Sequence, residues 1–263
     1  MPEGHTIHRA AREHNKIFGG HSLTLTSPQG RFTDGAARID GQTCSFVEAI
    51  GKHLIYHFEN GSVLHIHLGL FGRIRKHKLP LRTARGAVRV RLVCATHAVD
   101  INGPTTCEIL DDQGLSSLKQ RIGPDVLRID AEPVRAFRKI KKSRRSIGCL
   151  IMDQSVMAGI GNIYRTEILW RQHVHPLTPG RDLDDAKLER LWLDARNLLE
   201  IGVRRNAIVT VDSAKVSRRR YRETTNIFGK QACPSCEGRV SQLEINGRRV
   251  YLCDNCQPLA GNK

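Results

Sequence analysis

Between Thr6 and Phe18 the chain repeats with a helical period. Ile7, Ala10, Ala11, His14, Ile17 and Phe18 fall on one face, and Gly19-Gly20 ends the pattern. The next hundred residues turn to strand-like patterns. Cys44 to Ile50 alternates, and Leu54 to Phe58 and Val63 to Leu68 flank Asn60-Gly61, a strong hairpin signal. Val88 to Val93 sets Val and Leu against Arg, which predicts a half-buried strand with one basic face. Short strands at this spacing predict a two-layer β-sandwich with the leading helix packed on it and Pro2-Glu3 at one edge. Near Gly114 the period becomes helical, over Pro133–Ile140, Ile147–Met152, Tyr164–His173 and Leu183–Ile201. The last has a broad stripe of Leu183, Ala186, Leu188, Leu191, Trp192, Ala195, Leu198 and Leu199. Ser217–Arg222 reads as a short basic linker. Beyond it, Arg239–Ile245 and Arg248–Leu252 form a second hairpin pattern across Asn246-Gly247.

Composition narrows the partner. At 263 residues and 40% hydrophobic content the chain can fill two compact cores but not three large ones. Lys and Arg number 42 against 26 acids, a net charge of +16. That balance points to a polyanion, nucleic acid before a membrane, with a merely solvated basic surface as the alternative. No stretch approaches the ~18 apolar residues of a membrane span, and no signal pattern opens the chain, so an intracellular, non-secreted protein is expected. Cys44, Cys94, Cys107 and Cys149 have no partner spacing and read as small buried hydrophobes.

The densest chemical signal is at the end of the chain. Cys233-Pro-Ser-Cys236 and Cys253-Asp-Asn-Cys256 each offer two thiolates from one tight turn, fitting a closed tetrahedral site for one structural zinc. Two disulfides are the alternative, disfavoured without a secretion signal. A module this short needs the metal to fold. Arg248, just past the Asn-Gly turn, is either a phosphate fork or a solvated turn residue.

Other candidates carry two readings each. Removal of Met1 would leave Pro2 with a secondary amine of pKa near ~8, nucleophilic at neutral pH, with Glu3 beside it. Lys52, after Gly51, is a phosphate contact or proton carrier, or an exposed strand end. Gly159-Ile-Gly161-Asn162 before a helix is an anion site or an ordinary turn. Leu70-Phe71, between Gly69 and Gly72, is a core plug or an exposed wedge able to enter a duplex. The run from Arg138 to Arg145 tracks a phosphate backbone or is simply solvated.

Taken together and in order, Pro2-Glu3-Gly4, Gly51-Lys52, His67-Leu-Gly-Leu-Phe-Gly72, Arg121-Ile-Gly-Pro124, Asp153-Gln154, Gly159-Ile-Gly161-Asn162-Ile-Tyr164 and the cysteine hairpin resemble the formamidopyrimidine-DNA glycosylase and endonuclease VIII family of base-excision repair. The resemblance spans essentially the whole chain, and Pro-Glu-Gly is similar to the endonuclease VIII branch, where the other branch usually has Pro-Glu-Leu. It implies an α+β multidomain fold: an N-terminal catalytic β-sandwich domain with a leading helix over 1–114, a helix–two-turns–helix DNA-binding domain over 115–225, and a zinc-ribbon β-hairpin over 226–263.

The resemblance also implies roles. Pro2 would attack C1′ and form a Schiff base, and Glu3 would donate a proton to the sugar. Lys52 would contact phosphate and assist elimination. Asn162 and Arg248 would grip phosphates beside the extruded nucleotide, with Arg248 assisting a second elimination. Arg121 would contact DNA, and Leu70 and Phe71 would fill the void in the duplex. The implied activity is base removal followed by β,δ-elimination on damaged DNA, double-stranded with single-stranded as an alternative, by a monomer. Gly69 stands where relatives of the endonuclease VIII branch carry a polar wedge, usually glutamine. The segment from Asn102 to Cys107 lacks the Arg-and-Phe wedge of the other branch. Val216 to Lys230 is short for a purine-lesion capping loop, which favours oxidised pyrimidines. Oxidised purines by the same chemistry, or inactive binding of damaged DNA, are the alternatives.

Overall fold

The computed structural model describes residues 2–81, 83–212 and 224–259. Met1 and the linker expected at Ser217–Arg222 lie outside the described residues. The chain divides into two compact units, Met1–Arg121 and Ile122–Lys263.

In the first unit, helix α1 (Gly4–Phe18) is followed by β1 (His21–Ser22), β2 (Thr24–Thr26), α2 (Thr33–Ile39), β3 (Thr43–Ile50), β4 (His53–Phe58), β5 (Val63–His67), β6 (Arg73–Lys78), β7 (Val88–Val93), β8 (His97–Asn102), β9 (Thr106–Leu110) and α3 (Asp112–Arg121). Antiparallel pairing gives a five-stranded sheet, β1-β3-β4-β5-β9, and a four-stranded one, β2-β7-β8-β6. The expected sandwich forms because alternate residues of each sheet share one core. Leu54, Tyr56, Leu64 and Ile66 pack with Val90, Leu92, Val99 and Ile101, and α1 adds Ile7, Ala10, Ala11 and Phe18. His14 of α1 is bonded to Tyr56 of β4, Nδ1 to hydroxyl, at 2.6 Å. Burial lowers His14 to about 3 and raises Tyr56, so the phenol donates to a neutral ring.

The basic strand β7 behaves as its alternation predicts, with Val90 and Leu92 inward. Its Arg91 is nonetheless buried, forked onto its cross-strand partner Asp100 at 2.6 and 2.8 Å. Strands β6, β8 and β9 and helices α2 and α3 carry too few periodic apolar residues to stand out in the sequence. β6, for example, is RIRKHK, with no buried residue.

The second unit is helical: α4 (Pro133–Lys141), α5 (Ile147–Leu150), α6 (Asn162–Arg171) and α7 (Asp185–Arg205), then the hairpin of β10 (Ser241–Ile245) and β11 (Arg248–Leu252). The α7 stripe of Leu188, Leu191, Trp192, Ala195, Leu198 and Leu199 joins Ile140, Leu150, Tyr164 and Ile168 in its core. α7 starts where the Asp184 carboxylate accepts from Lys187 N–H at 2.6 Å, and it ends at left-handed Asn206. α6 begins two residues earlier than its apolar period predicts, because extended Gly161 caps it. Among the described residues no helix is long and apolar enough to cross a membrane.

Candidate active site and metal centre

Pro2 and Glu3 precede α1, which starts at Gly4. Glu3 is the N-cap, its carbonyl accepting from Thr6 N–H at 2.9 Å, and its side chain is fully buried. The positive end of the helix favours an anion there. Lys52 occupies the two-residue turn between β3 and β4, where Ile50 pairs with His53. Gly51 takes φ 59°, which turns the chain tightly enough to close that hairpin. Pro2, Ile7, Lys52, His67, Leu68 and Gly69 line one small pocket. The sheet therefore brings a lysine to the proline although 50 residues separate them in sequence. His67 has a defined tautomer: its Nδ1 accepts from Gly69 N–H at 3.2 Å, which leaves the ring proton on Nε2. The Thr105 hydroxyl lies 3.0 Å from the same nitrogen.

The turn after β5 decides between plug and wedge. Leu70 is 44% and Phe71 85% exposed, so both stand out from the protein. Gly72 N–H bonds back to Leu68 O at 2.9 Å, and a Cβ on Gly72 would come within 2.3 Å of that oxygen. Gly69 has φ 63°, and a Cβ there would meet the Thr105 methyl at 2.3 Å. A side chain at 69 would be strained by the positive φ and would have to displace Thr105, and Phe71 is the more exposed of the two residues the turn presents. Arg121, at the exposed end of α3, acts electrostatically on His53 and His65.

In the second unit the Gly159–Asn162 segment meets the hairpin. Gln154 shapes the approach, donating from Nε2 to Met152 O at 2.8 Å and to Ile160 O at 3.0 Å, while its Oε1 accepts from Gly159 N–H at 3.0 Å. Asn162 donates from Nδ2 to Arg249 O at 2.9 Å, and its Oδ1 accepts from Nη2 of fully buried Arg165. Arg248 follows the Asn246-Gly247 turn, whose φ values of 53° and 66° are those of a tight hairpin turn. Asn162 and Arg248 are therefore brought together. The basic run is partly engaged within the protein: Lys139 donates to Ser155 O at 2.7 Å, Lys141 pairs with Asp185 at 2.8 Å, and Arg145 pairs with Asp153 at 2.9 Å. Buried Glu167 of α6 accepts from the N–H groups of Ile227 and Phe228 at 2.9 and 2.7 Å, and from Thr210 Oγ1 at 2.5 Å.

The four hairpin cysteines converge. Sγ atoms of Cys233 and Cys256 are 3.7 Å apart, Cys236 and Cys253 3.5 Å, and Cys236 and Cys256 3.6 Å. Four sulfurs at about 2.3 Å around a tetrahedral zinc would be separated by roughly 3.8 Å, so the set fits such an ion. A disulfide would need about 2.05 Å, and all four thiols are free. Fully buried Gln257 braces the second knuckle, accepting from Cys253 N–H at 3.1 Å and donating to Val174 O at 2.8 Å. Burial works to raise the Cys233 thiol, but hydrogen bonds from the Ser235 backbone and Trp170 outweigh it and bring the thiol down to about 6. The cluster can hold a metal ion.

Known proteins share this arrangement. A family model described as the formamidopyrimidine-DNA glycosylase N-terminal domain matches residues 1–106, and one described as the formamidopyrimidine-DNA glycosylase H2TH domain matches 122–213. Endonuclease 8 1 of Mycobacterium tuberculosis is 40% identical over 267 residues, covering 98% of this chain and 100% of the relative. Endonuclease 8 of Salmonella typhimurium is 31% identical, with the same coverage. The chain belongs to the formamidopyrimidine-DNA glycosylase and endonuclease 8 family. It shares the fold of Lactococcus lactis formamidopyrimidine-DNA glycosylase solved with DNA containing Fapy-dG, at TM-score 0.81 and 23% identity over 98% of this chain and all of the other. The same enzyme with DNA containing an abasic site matches at TM-score 0.81 and 20% identity, again over 98% and 100%.

Within this family member, sequence reasoning missed His67 as a pocket residue and Glu167 as an anchor. His67 had a signal: it is a polar residue at an outward position of a strand ending beside a glycine turn. Glu167 had none, because its partners lie 43 to 61 residues away.

Proposed function

We propose that this member of the family is a bifunctional DNA glycosylase and abasic-site lyase that removes oxidised pyrimidines through Pro2. The observation that carries the reading is the pocket shared by Pro2, Lys52 and His67, with Glu3 buried next to Pro2. A protein that only binds DNA needs no amine, carboxylate and lysine at one point.

With Met1 removed, the Pro2 nitrogen attacks C1′ of the damaged nucleotide and the glycosidic bond breaks. Glu3 supplies the proton that lets the sugar ring open at O4′, giving an iminium. The positive nitrogen acidifies the 2′ hydrogen, which leaves as a proton while the 3′ phosphate is expelled. A second elimination at the 5′ side leaves a one-nucleotide gap. Lys52 neutralises the departing phosphate and assists the proton's departure. The target must first leave the stack, since C1′ is out of reach inside a duplex. Leu70 and Phe71 enter the space it vacates, Asn162 and Arg248 hold the flanking phosphates, and Arg121 adds a further DNA contact. Zinc on Cys233, Cys236, Cys253 and Cys256 keeps the hairpin folded. The chain works as three parts, 1–114, 115–225 and 226–263, as an intracellular monomer.

The pyrimidine preference is supported by the Pro2-Glu3-Gly4 start and by the 40% identical relative's being named an endonuclease 8. Oxidised purines are the second reading, favoured by relatives such as the formamidopyrimidine-DNA glycosylase of Thermomicrobium roseum, 30% identical over 85% of each chain. Incision rates on duplexes bearing one oxidised pyrimidine or one 8-oxoguanine decide between them. Faster cutting of the pyrimidine duplex is expected, and faster cutting of the guanine duplex would reassign the substrate.

A further inference from the structure

The outer face of the five-stranded sheet carries a line of imidazoles in ring contact, His65 to His53 to His67. Leu54, Leu64 and Ile66 point into the sandwich core, while His53, His65 and His67 take the alternate positions. The register pairs His53 with His67 and His65 with Glu108. Glu108 Oε1 lies 2.9 Å from His65 Nδ1, and His65 Nε2 lies 2.8 Å from His53 Nδ1. The His53 ring centroid is 4.8 Å from that of His67, which lines the pocket with Pro2 and Lys52. His65 is buried, whereas the Glu108 side chain is 50% exposed.

These contacts have a direction. A carboxylate only accepts, so His65 carries its proton on Nδ1. Neutral His65 then has a bare Nε2, which accepts from His53 Nδ1–H. That leaves the bare Nε2 of His53 as the acceptor at the pocket end of the line.

We propose that Glu108, His65 and His53 form a proton wire between solvent and the Pro2–Lys52 pocket. The proposal rests on the imine reading given above, because the elimination releases the 2′ hydrogen as a proton that has to leave the pocket. His67, whose ring lies against that of His53, gives its Nε2 proton to Nε2 of His53 and takes the released proton from Lys52 in its place, so that its Nδ1 keeps the Gly69 N–H. The Nδ1 proton of His53 passes to Nε2 of His65, and the Nδ1 proton of His65 passes to Glu108. Glu108 releases it to water. One proton enters, one leaves, and only N–H and O–H bonds change.

The surroundings favour a concerted passage over a stored imidazolium. Burial first, then the charges of His65, His67, Arg121 and Lys52, lowers His53 to about 3. Burial also lowers His65, with the Glu108 hydrogen bond and charge opposing it and Arg121 adding to it. Burial lowers His67 as well, reinforced by His65 and Lys52. A ring that cannot keep a proton passes it on, and the half-exposed Glu108 carboxylate meets the water that carries it away.

The test is single-turnover elimination on a duplex with one abasic site, using the full chain with its metal. Glu108→Gln keeps an acceptor for His65 but cannot take its proton, and His65→Ala opens the line. Each variant should eliminate about tenfold more slowly, with duplex affinity and melting temperature as in the wild type for Glu108→Gln. Increasing imidazole buffer should restore the rate of both variants and leave the wild type unchanged, an effect that a purely structural role would not produce. Wild-type rates in both variants, or losses that imidazole does not restore, would overturn the wire alone. A wild type that neither eliminates nor gives a borohydride-trapped adduct would overturn the imine reading, and the wire with it.

Discussion

The side-chain amide of Asn162 is bonded to the backbone carbonyl of Arg249 at 2.9 Å, which fastens the first residue of α6 to the strand that Arg248 begins. Two residues 86 positions apart in sequence, Asn162 and Arg248, thereby become one rigid patch at a helix N-terminus. Fully buried Arg165 holds the other side of the Asn162 amide, so the patch is ordered before any ligand arrives.

If that patch grips phosphate, Arg248→Ala should weaken duplex binding and make the slope of log affinity against log salt shallower by about one unit. Fluorescence anisotropy at several salt concentrations measures it. An unchanged slope would remove Arg248 from the phosphate contacts.

Among the described residues Glu167 receives five hydrogen bonds, from Thr210 Oγ1, both nitrogens of Asn226, and the N–H groups of Ile227 and Phe228. Removing the carboxylate strands several buried donors, so Glu167→Ala should cost about 3 kcal/mol. That corresponds to a fall in melting temperature of roughly 6–12 °C. A calorimetric shift under ~2 °C would show that water or neighbouring groups replace it.

Phe71 is 85% exposed and contributes little to folding. Phe71→Ala should leave stability within about 0.5 kcal/mol of wild type. Excision of a paired, damaged base should slow, while cleavage at a preformed abasic site changes less, because no base has to be turned out. Equal slowing on both substrates would argue against a void-filling role.

Acid should destabilise the first unit through its buried histidines. Folding holds His14 and His53 at about 3, and burial lowers His5 to about 4, against 6.5 for a free ring. Below pH 6.5 the unfolded chain binds protons that the folded one refuses. The stability held above 6.5 is therefore lost as pH falls from 6.5 towards 3, by about 1.4 kcal/mol per pH unit for each such ring. Melting temperatures measured from pH 7 down to pH 4 should fall progressively, and a flat profile would contradict neutral burial of these rings.

Much of this was legible in the sequence. The helix read at Thr6–Phe18, the strands around Asn60-Gly61 and the cysteine hairpin depend on short-range periodicity and turn chemistry, which twenty residues or so suffice to display. β6 and α3 were not legible because β6 is held by its full-length pairing with β8 and α3 by its packing on β9, neither of which needs a periodic apolar stripe of its own. The pocket was half legible: Pro2 and Glu3 stood out through the chemistry of a terminal amine beside a carboxylate, and Lys52 through the family resemblance. His67 and the His53–His65–Glu108 line emerge only from strand register, which a single sequence does not fix. By their residue types alone Leu70 and Phe71 read as core sooner than as a wedge, since apolar pairs seldom stand in water; the turn bounded by Gly69 and Gly72 nonetheless exposes both.

Borohydride trapping on a duplex with an abasic site, followed by mass mapping of the adduct, tests the use of Pro2 most directly. A covalent complex joined at Pro2 of chains lacking Met1, and lost in Pro2→Ala, is the expected result. Absence of any adduct in a preparation shown to begin at Pro2 and to hold its metal would contradict the imine mechanism and leave a protein that binds damaged DNA without acting on it.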